Sequence, residues 1–432
     1  MVCSANARPS LARPGPASLC VLVALAASCA PAVAPRAPLT PAEIPAVEAR
    51  LARDAGDVEA RLQLADAYRQ SGRADAAVTV LQPVLATEPA APYFLGLVRE
   101  DQGNYAEARR LYQDYLARGR DAEVRRQVQD RLSLLDRLEL QQAARSALSR
   151  ERQLASTAPA VGTIGVFPFL TVTQDPQLRP LGTALSELLT TDLAQTSRLR
   201  VVERSQVQAL LDELKLAQSG RVDTTTAART GRLLGAGRIV QGRVEGGEAS
   251  LSLQAAVLRV PGEATRMNPL REQDQLARLF DLEKRLALGI YERVGIQLTD
   301  AERQRVLQQA TTNVQALLAL GFGLEAQDAG RYDEAAQHFA RAVQLDPRFR
   351  LAARKLLQAE AQARAAALTP ALRAQLGFIE FEALRRADVF RALEQFVPDP
   401  AVRDPAAEVL GTEGTTRRGT IDIVIRRPGG AQ

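Results

Sequence analysis

The sequence predicts an α+β multidomain protein in which α-helical repeats flank a small α/β domain with a mixed sheet. Glycines, alanines and aromatic residues recur at a fixed step in two separate regions. Between those regions the hydrophobic period changes from helical to strand-like and back. Aromatic residues make up only 4% of the chain and Trp is absent, a composition that suits close-packed helix pairs better than a pocket lined by rings. The 432 residues allow two or three domains, and a hydrophobic fraction of 46% is enough for their cores. The formal charge of +5 arises from 55 basic and 50 acidic side chains whose signs interleave. A nucleic-acid binder gathers its cations on one face, so these charges read as solvated helix faces and no nucleic-acid partner is expected.

The amino end reads as a leader over residues 1–28. Cys3, Cys20 and Cys29 all fall within the first 29 residues, so the rest of the chain can form neither an internal disulfide nor a thiolate metal cluster. Arg8 and Arg13 precede a short apolar run, residues 19–27, and Ala26-Ala27-Ser28 then places small residues before Cys29. Spanning a bilayer takes about 20 apolar residues, and this run is shorter. The pattern resembles the bacterial lipoprotein signal, which implies that Cys29 is acylated and becomes the first residue of the mature chain. It departs from that signal at Ala26, where the family has Leu; the nearest leucine is Leu25. The alternative is ordinary cleavage after Ala32-Val33-Ala34, which the following Pro35 disfavours. Ala30 after the cysteine, in place of the aspartate of inner-membrane retention, implies a lipid anchor in the outer membrane's periplasmic face. Residues 29–45 hold Pro31, Pro35, Pro38, Pro41 and Pro45 and should form an extended tether, at about 3.1 Å per residue.

Residues 46–155 carry the first repeats. Leu64, Ala65, Tyr68, Gly72, Ala77, Leu81, Val84 and Pro89 are followed by Leu95, Gly96, Gly103, Tyr105, Ala108, Tyr112 and Tyr115, with Gly96 31 residues after Ala65. A third copy lies far downstream, in Phe322, Gly323, Gly330, Tyr332, Ala335, Phe339, Ala342 and Pro347. Small residues let two antiparallel helices approach, large ones fill the space between them, and glycines turn the chain. The spacing resembles the tetratricopeptide repeat. That resemblance implies protein binding and marks Leu64, Ala65, Tyr68, Ala77, Gly96, Tyr105, Ala108, Tyr112, Tyr332, Ala335, Phe339 and Pro347 as its signature, with envelope proteins or peptides as partners. A helix pair cannot bury its apolar face alone. An amphipathic helix over residues 121–155, with Val124, Val128, Leu132, Leu135 and Leu138 on one side, is therefore expected to close the first stack and bridge to the next domain. In residues 301–396 the helices after Phe349, holding Leu351, Leu356, Leu357, Leu376, Phe378, Phe381, Leu384, Phe390 and Leu393, are expected to cap the third copy.

The α/β domain spans residues 161–298. A β-branched run at 161–169 is followed by a helix face of Leu178, Leu181, Leu185, Leu188 and Leu193 and a strand at 199–203. Ser205 and Gln208 read as a capping box for a helix with Val207, Leu210, Leu211 and Leu214 inward. Asp223 should cap a further helix ending at Gly235. Strands at 238–245 and 250–260 meet at Gly246-Gly247 as a hairpin, and a helix with Leu276, Leu279, Phe280, Leu286, Ile290 and Val294 completes the unit. The order Val166-Phe167-Pro168-Phe169, the helix at 181–193, the string Val201-Val202-Glu203-Arg204-Ser205-Gln206 and the glycine-rich junction before residue 238 is similar to the curli-assembly lipoprotein family (CsgG-like), whose core resembles the amino-terminal domain of TolB. The resemblance implies a periplasm-facing envelope protein capable of self-association. The pore made by that family's best-known member needs two extra membrane hairpins, with strands of about 9–11 residues. Here residue 260 is expected to run through residues 261–265 straight into the helix, so a non-enzymatic binding scaffold in envelope assembly or secretion is the first reading, and a subunit of a curli-type outer-membrane pore the alternative.

No catalytic constellation emerges, and no cofactor or metal is expected. The single histidine, His338, sits beside Phe339 in the third repeat, and His/Cys metal sites are excluded by count. Gly231, Gly235 and Gly237 lie where a helix enters a strand, the reverse of a dinucleotide loop, and read as helix termination. Asp212 and Glu213 are adjacent on a helix and read as solvated. Residues 397–432 form a linker and tail in which Ile421, Ile423 and Ile425 alternate ahead of Arg426 and Arg427; this strand is expected to add to a sheet edge.

Overall fold

The computed structural model describes residues 38–155, 159–214, 224–260 and 269–395. The expected leader with Cys29, the expected Asp223 cap, the link at 261–265 and the expected carboxyl-terminal strand lie outside the described residues, as do the side chains of Phe390 and Leu393.

The first block consists of α1 (Ile44–Arg53), α2 (Val58–Gln70), α3 (Ala74–Leu81), α4 (Ala90–Asp101) and α5 (Tyr105–Arg118). Side chains of Asp57 and Asn104 accept from the third residue of α2 and α5 respectively, satisfying donors the helices leave open. Gly72 and Gly103 turn the chain within each pair at φ of 73° and 71°, and Gly330 does the same at 76° in the third copy, a backbone region that glycine enters without steric cost. The 28-residue α6 (Ala122–Ser149), capped by Asp121, buries Val124, Val128 and Leu135 against this block. The shorter α7 (Glu151–Ala155) leads into the sheet domain.

That domain comprises β1 (Ala160–Val166), β2 (Leu170–Val172), α8 (Leu181–Leu193), β3 (Arg200–Val202), α9 (Arg204–Glu213), α10 (Thr224–Leu233), β4 (Ala236–Gly246), β5 (Leu251–Arg259), β6 (Leu270–Asp274) and α11 (Leu279–Val294). The sheet order is β3-β1-β4-β5-β6, with β2 also pairing β4. β1, β2 and β3 join by parallel pairing and β5 and β6 by antiparallel pairing, so the sheet is mixed as expected. Alternation assigns its faces. Ile164, Val166, Val240, Val244, Leu253 and Val257 meet α8 and α11, while Phe167, Val202, Ile239 and Leu258 meet Val207 and Leu211 of α9 and Ala227 of α10. Gly246, at φ 107°, ends the first strand of the β4–β5 hairpin.

Two local expectations are corrected. Residue 260 does not lead straight to a helix: β6 pairs with β5, Leu251 facing Asp274 and Ala255 facing Leu270. The Ser205/Gln208 capping box is not made, because α9 starts at Arg204 directly after β3 and its cap, Glu203, gives no side-chain bond. A capping box forms instead at Thr299 and Glu302, opening α12 (Asp300–Leu307).

The third copy, α13 (Val314–Asp328) and α14 (Tyr332–Leu345), is followed by α15 (Arg350–Ala367) and α16 (Pro370–Gln395). It shares one apolar core with the α8/α11 face of the sheet, and a Cβ on Gly321 of α13 would lie 2.5 Å from the Pro180 carbonyl oxygen. α15 packs along α14 and also along α6. α16 corrects the expected cap: it leaves the third copy and lies on α4 of the first block and on α6, contributing Ala374 and Phe381 to that block's core. The helices on either side of the α/β domain thus pack as one array, interrupted in sequence by the domain and held to it along α6.

Candidate functional site

Where α6, α9, α13 and α15 converge, a polar cleft of about 380 Å³ opens, lined among others by Asp136, Arg137, Arg204, Asp212, Asp328 and Lys355. Its organising residue is Arg204. Arg204 opens α9 one residue after β3 ends, and its inward side chain is only 3% exposed. Arg204 Nε donates to Glu187 Oε2 of α8 at 2.9 Å, and its two terminal nitrogens hold both carboxylate oxygens of Asp328, at the end of α13, at 2.7 and 2.9 Å. Lys355 Nζ of α15 reaches the other Glu187 oxygen at 3.1 Å. One guanidinium fork therefore ties the α/β domain to the third repeat, a geometry that lysine does not reproduce.

The electrostatics follow from this enclosure. Burial works against the charge on Glu187, yet Lys355 and Arg204 outweigh it and hold the carboxyl below the usual carboxylate range. Burial likewise opposes the Arg204 charge, and Asp328 and Glu187 reverse the balance and raise its pKa further. Neighbouring polar contacts extend the junction. Arg137 of α6 donates to the backbone carbonyls of Gln327, at 2.6 Å, and Asp328, where the end of α13 leaves carbonyls open and the helix dipole favours a cation. Gln362 of α15 accepts from Gln327 at 2.8 Å and donates to the Ser133 carbonyl at 3.1 Å; Arg364 grips both oxygens of Asp130 at 2.7 Å. The reading of the charges as solvated faces is corrected here: Arg204, Glu187, Asp130 and Lys284, with Glu100 of the first block and Glu380 of α16, are buried. Asp212, by contrast, is exposed at the cleft, and Glu213 faces Arg145 at 3.2 Å.

The repeat signature is gathered into the helix cores. Leu64, Ala65, Tyr68, Ala77, Ala108, Tyr112, Ala335 and Phe339 are buried, Tyr105 and Tyr332 are half-buried, and Pro347 is exposed. A Cβ on Gly96 would lie 2.5 Å from the Tyr112 ring, and one on Gly323 would lie 2.4 Å from the Phe339 ring. These residues set the spacing of the helix pairs, so a partner meets the side chains between them. His338 stacks on Phe322 with centroids 5.4 Å apart, about a third exposed. Of Gly231, Gly235 and Gly237, only Gly235 ends a helix, at φ 64°. Gly231 and Gly237 instead permit close approach, their Cβ positions lying 2.7 Å from Val260 and 2.5 Å from the Ala160 carbonyl oxygen. Sequence reasoning missed the Arg204 network. The available signal was an arginine fixed between a strand end and a helix start in the most specific string of the domain.

Residues 145–258 match the family model described as "Curli production assembly/transport component CsgG", and residues 44–100 match that of the tetratricopeptide repeat. The chain carries a CsgG-like domain flanked by tetratricopeptide repeats. The matched CsgG-like span runs from the end of α6 to β5 and contains Glu187 and Arg204, so the junction is anchored inside it. A solved structure, "LpoB C-terminal domain from Salmonella enterica (Sel-Met)", is similar over 32% of this chain and 98% of its own length, at 18% identity and a TM-score of 0.23. No curated protein matches.

Proposed function

We propose that this chain is a non-enzymatic protein-binding scaffold of the bacterial envelope, anchored through an acylated Cys29 in the periplasmic face of the outer membrane and serving envelope assembly or secretion. The observation that carries the reading is the buried Arg204 junction, which fixes a CsgG-like domain within a helical array. A scaffold needs this, because surfaces held in one geometry lose little conformational freedom on binding. The CsgG-like match supports the envelope address, and the repeats support protein or peptide partners. Replacing Cys29 by alanine should move the protein from the membrane to the soluble fraction and abolish labelling by a fatty acid. Unchanged membrane association would reject the anchor.

The second reading is an oligomeric subunit of a curli-type pore, favoured by the transport role in the family's description. Against it, β4 and β5 are covered by helices on both faces, whereas a membrane strand shows an apolar face to lipid. The five residues of β6, Leu-Arg-Glu-Gln-Asp, are too few and too polar for a span. Detergent extraction, sizing and conductance separate the readings: a ring that conducts supports the pore, and a silent monomer or dimer supports the scaffold.

A further inference from the structure

The surface beneath α16 is built to hold a helix by discrete contacts. Phe94 of α4 meets Phe378 edge-on with centroids 5.0 Å apart, and the helices are so close that a Cβ on Gly377 would lie 2.5 Å from the Phe94 ring. Buried Glu100, on the same helix, receives Arg373 at 2.7 Å beside Arg131. Tyr93 Oη donates to the Arg373 carbonyl at 2.5 Å. A second polar seat lies between α5 and α6. There Tyr115 Oη donates to Glu380 at 2.8 Å, and the backbone N–H groups of Arg120 and Asp121 donate to it at 2.7 and 2.8 Å.

The two seats define a chemistry. Glu100 calls for a cation and the three converging donors call for a carboxylate. Arg373 and Glu380 meet them from positions seven residues apart, two turns along one helix face, with Phe378 between them. Vacating the second seat would leave Tyr115 and two backbone donors without the acceptor they now share, which is costly in a buried place, so a replacement that restores an acceptor displaces α16 more readily than water alone does. An amphipathic helix laid into a groove by anchors along one face is a recurring mode of peptide recognition.

Resting on the scaffold reading, we infer that this surface is a helix-docking site occupied by the chain's own α16. A partner protein helix carrying a cation and a carboxylate two turns apart, with an aromatic between them, takes its place. The test uses the full chain and a labelled synthetic peptide of residues 369–387. In the wild-type protein, α16 amides should exchange about a hundredfold faster than those of α15, through a local opening. Gly377→Leu, which forces the resident helix off Phe94, should bind the peptide about tenfold or more tightly than wild type does, and a peptide carrying Glu380→Gln should lose about tenfold. The inference is overturned if α16 exchanges only together with α15, if the folded variant binds no better than wild type, or if the Glu380→Gln peptide binds equally. Should Gly377→Leu fail to fold, the wild-type exchange decides alone. Failure here would make α16 a permanent clamp and would leave partner binding elsewhere on the array intact.

Discussion

Replacing Arg204 by alanine removes the guanidinium that joins Glu187 to Asp328. Taking one partner from a buried ion pair costs roughly 3–5 kcal/mol, because the other charge stays buried without compensation. Two features place this site at the lower end. Lys355 remains on Glu187 at 3.1 Å, and the Asp328 side chain is 19% exposed, so water reaches part of it. The expected loss is about 3 kcal/mol, read as a fall in the urea midpoint followed by far-ultraviolet circular dichroism. Asp328→Ala combined with Arg204→Ala should cost less than the sum of the single changes, by about 1.5–3 kcal/mol, since both remove the same bidentate contact. Arg204→Lys should fall between wild type and alanine, because it keeps the charge and loses the fork. A loss below about 1 kcal/mol for Arg204→Ala, or additive single changes, would show that the junction does not hold the modules together.

Gly182→Ala would place a Cβ 2.0 Å from the Phe169 carbonyl oxygen and 2.7 Å from Thr171 Oγ1, where backbone blocks relief. It should destabilise by about 3 kcal/mol or more in the same unfolding assay, despite alanine's preference for helix. Gly96→Ala and Gly323→Ala meet a ring instead of backbone and should each cost about 1–3 kcal/mol, with similar values because the two sites are equivalent. Glu187→Gln should lower stability at neutral pH. A carboxyl held below its usual range stabilises the fold above the unfolded value, and that contribution disappears as pH falls through the folded value, so the variant and wild type should converge in acid titrations. Glu283→Gln should behave oppositely. Burial, then the charge of Asp192, pushes Glu283 well above the carboxylate range, and Lys284 Nζ at 3.2 Å offsets only part of this. The wild-type penalty appears as pH rises through the unfolded value, so the variant should melt higher at neutral pH and lose that advantage in acid.

What could be read from the sequence depended on how locally each feature is determined. The repeats were legible because Gly96 and Tyr112, and again Gly323 and Phe339, meet across one helix pair at the same 16-residue separation. The β4–β5 hairpin was legible because alternation and a Gly-Gly turn lie next to each other. β6 was not, since one leucine among four polar residues carries no strand period; its pairing comes from the β5 edge. The destination of α16 was hidden for a similar reason. Arg373 and Glu380 look like a solvated helix face until α4 and the start of α6, more than 250 residues away, supply their partners. Arg204 was quoted as part of a recognisable string, but its partner Asp328 lies beyond that domain.

Scanning calorimetry of the full chain bears most directly on whether both repeat blocks and the CsgG-like domain form one body. A single transition whose calorimetric and van't Hoff enthalpies agree is the expected result, with Arg204→Ala shifting all of it to lower temperature. Two or more independent transitions in the wild-type protein, with only one moved by Arg204→Ala, would contradict it.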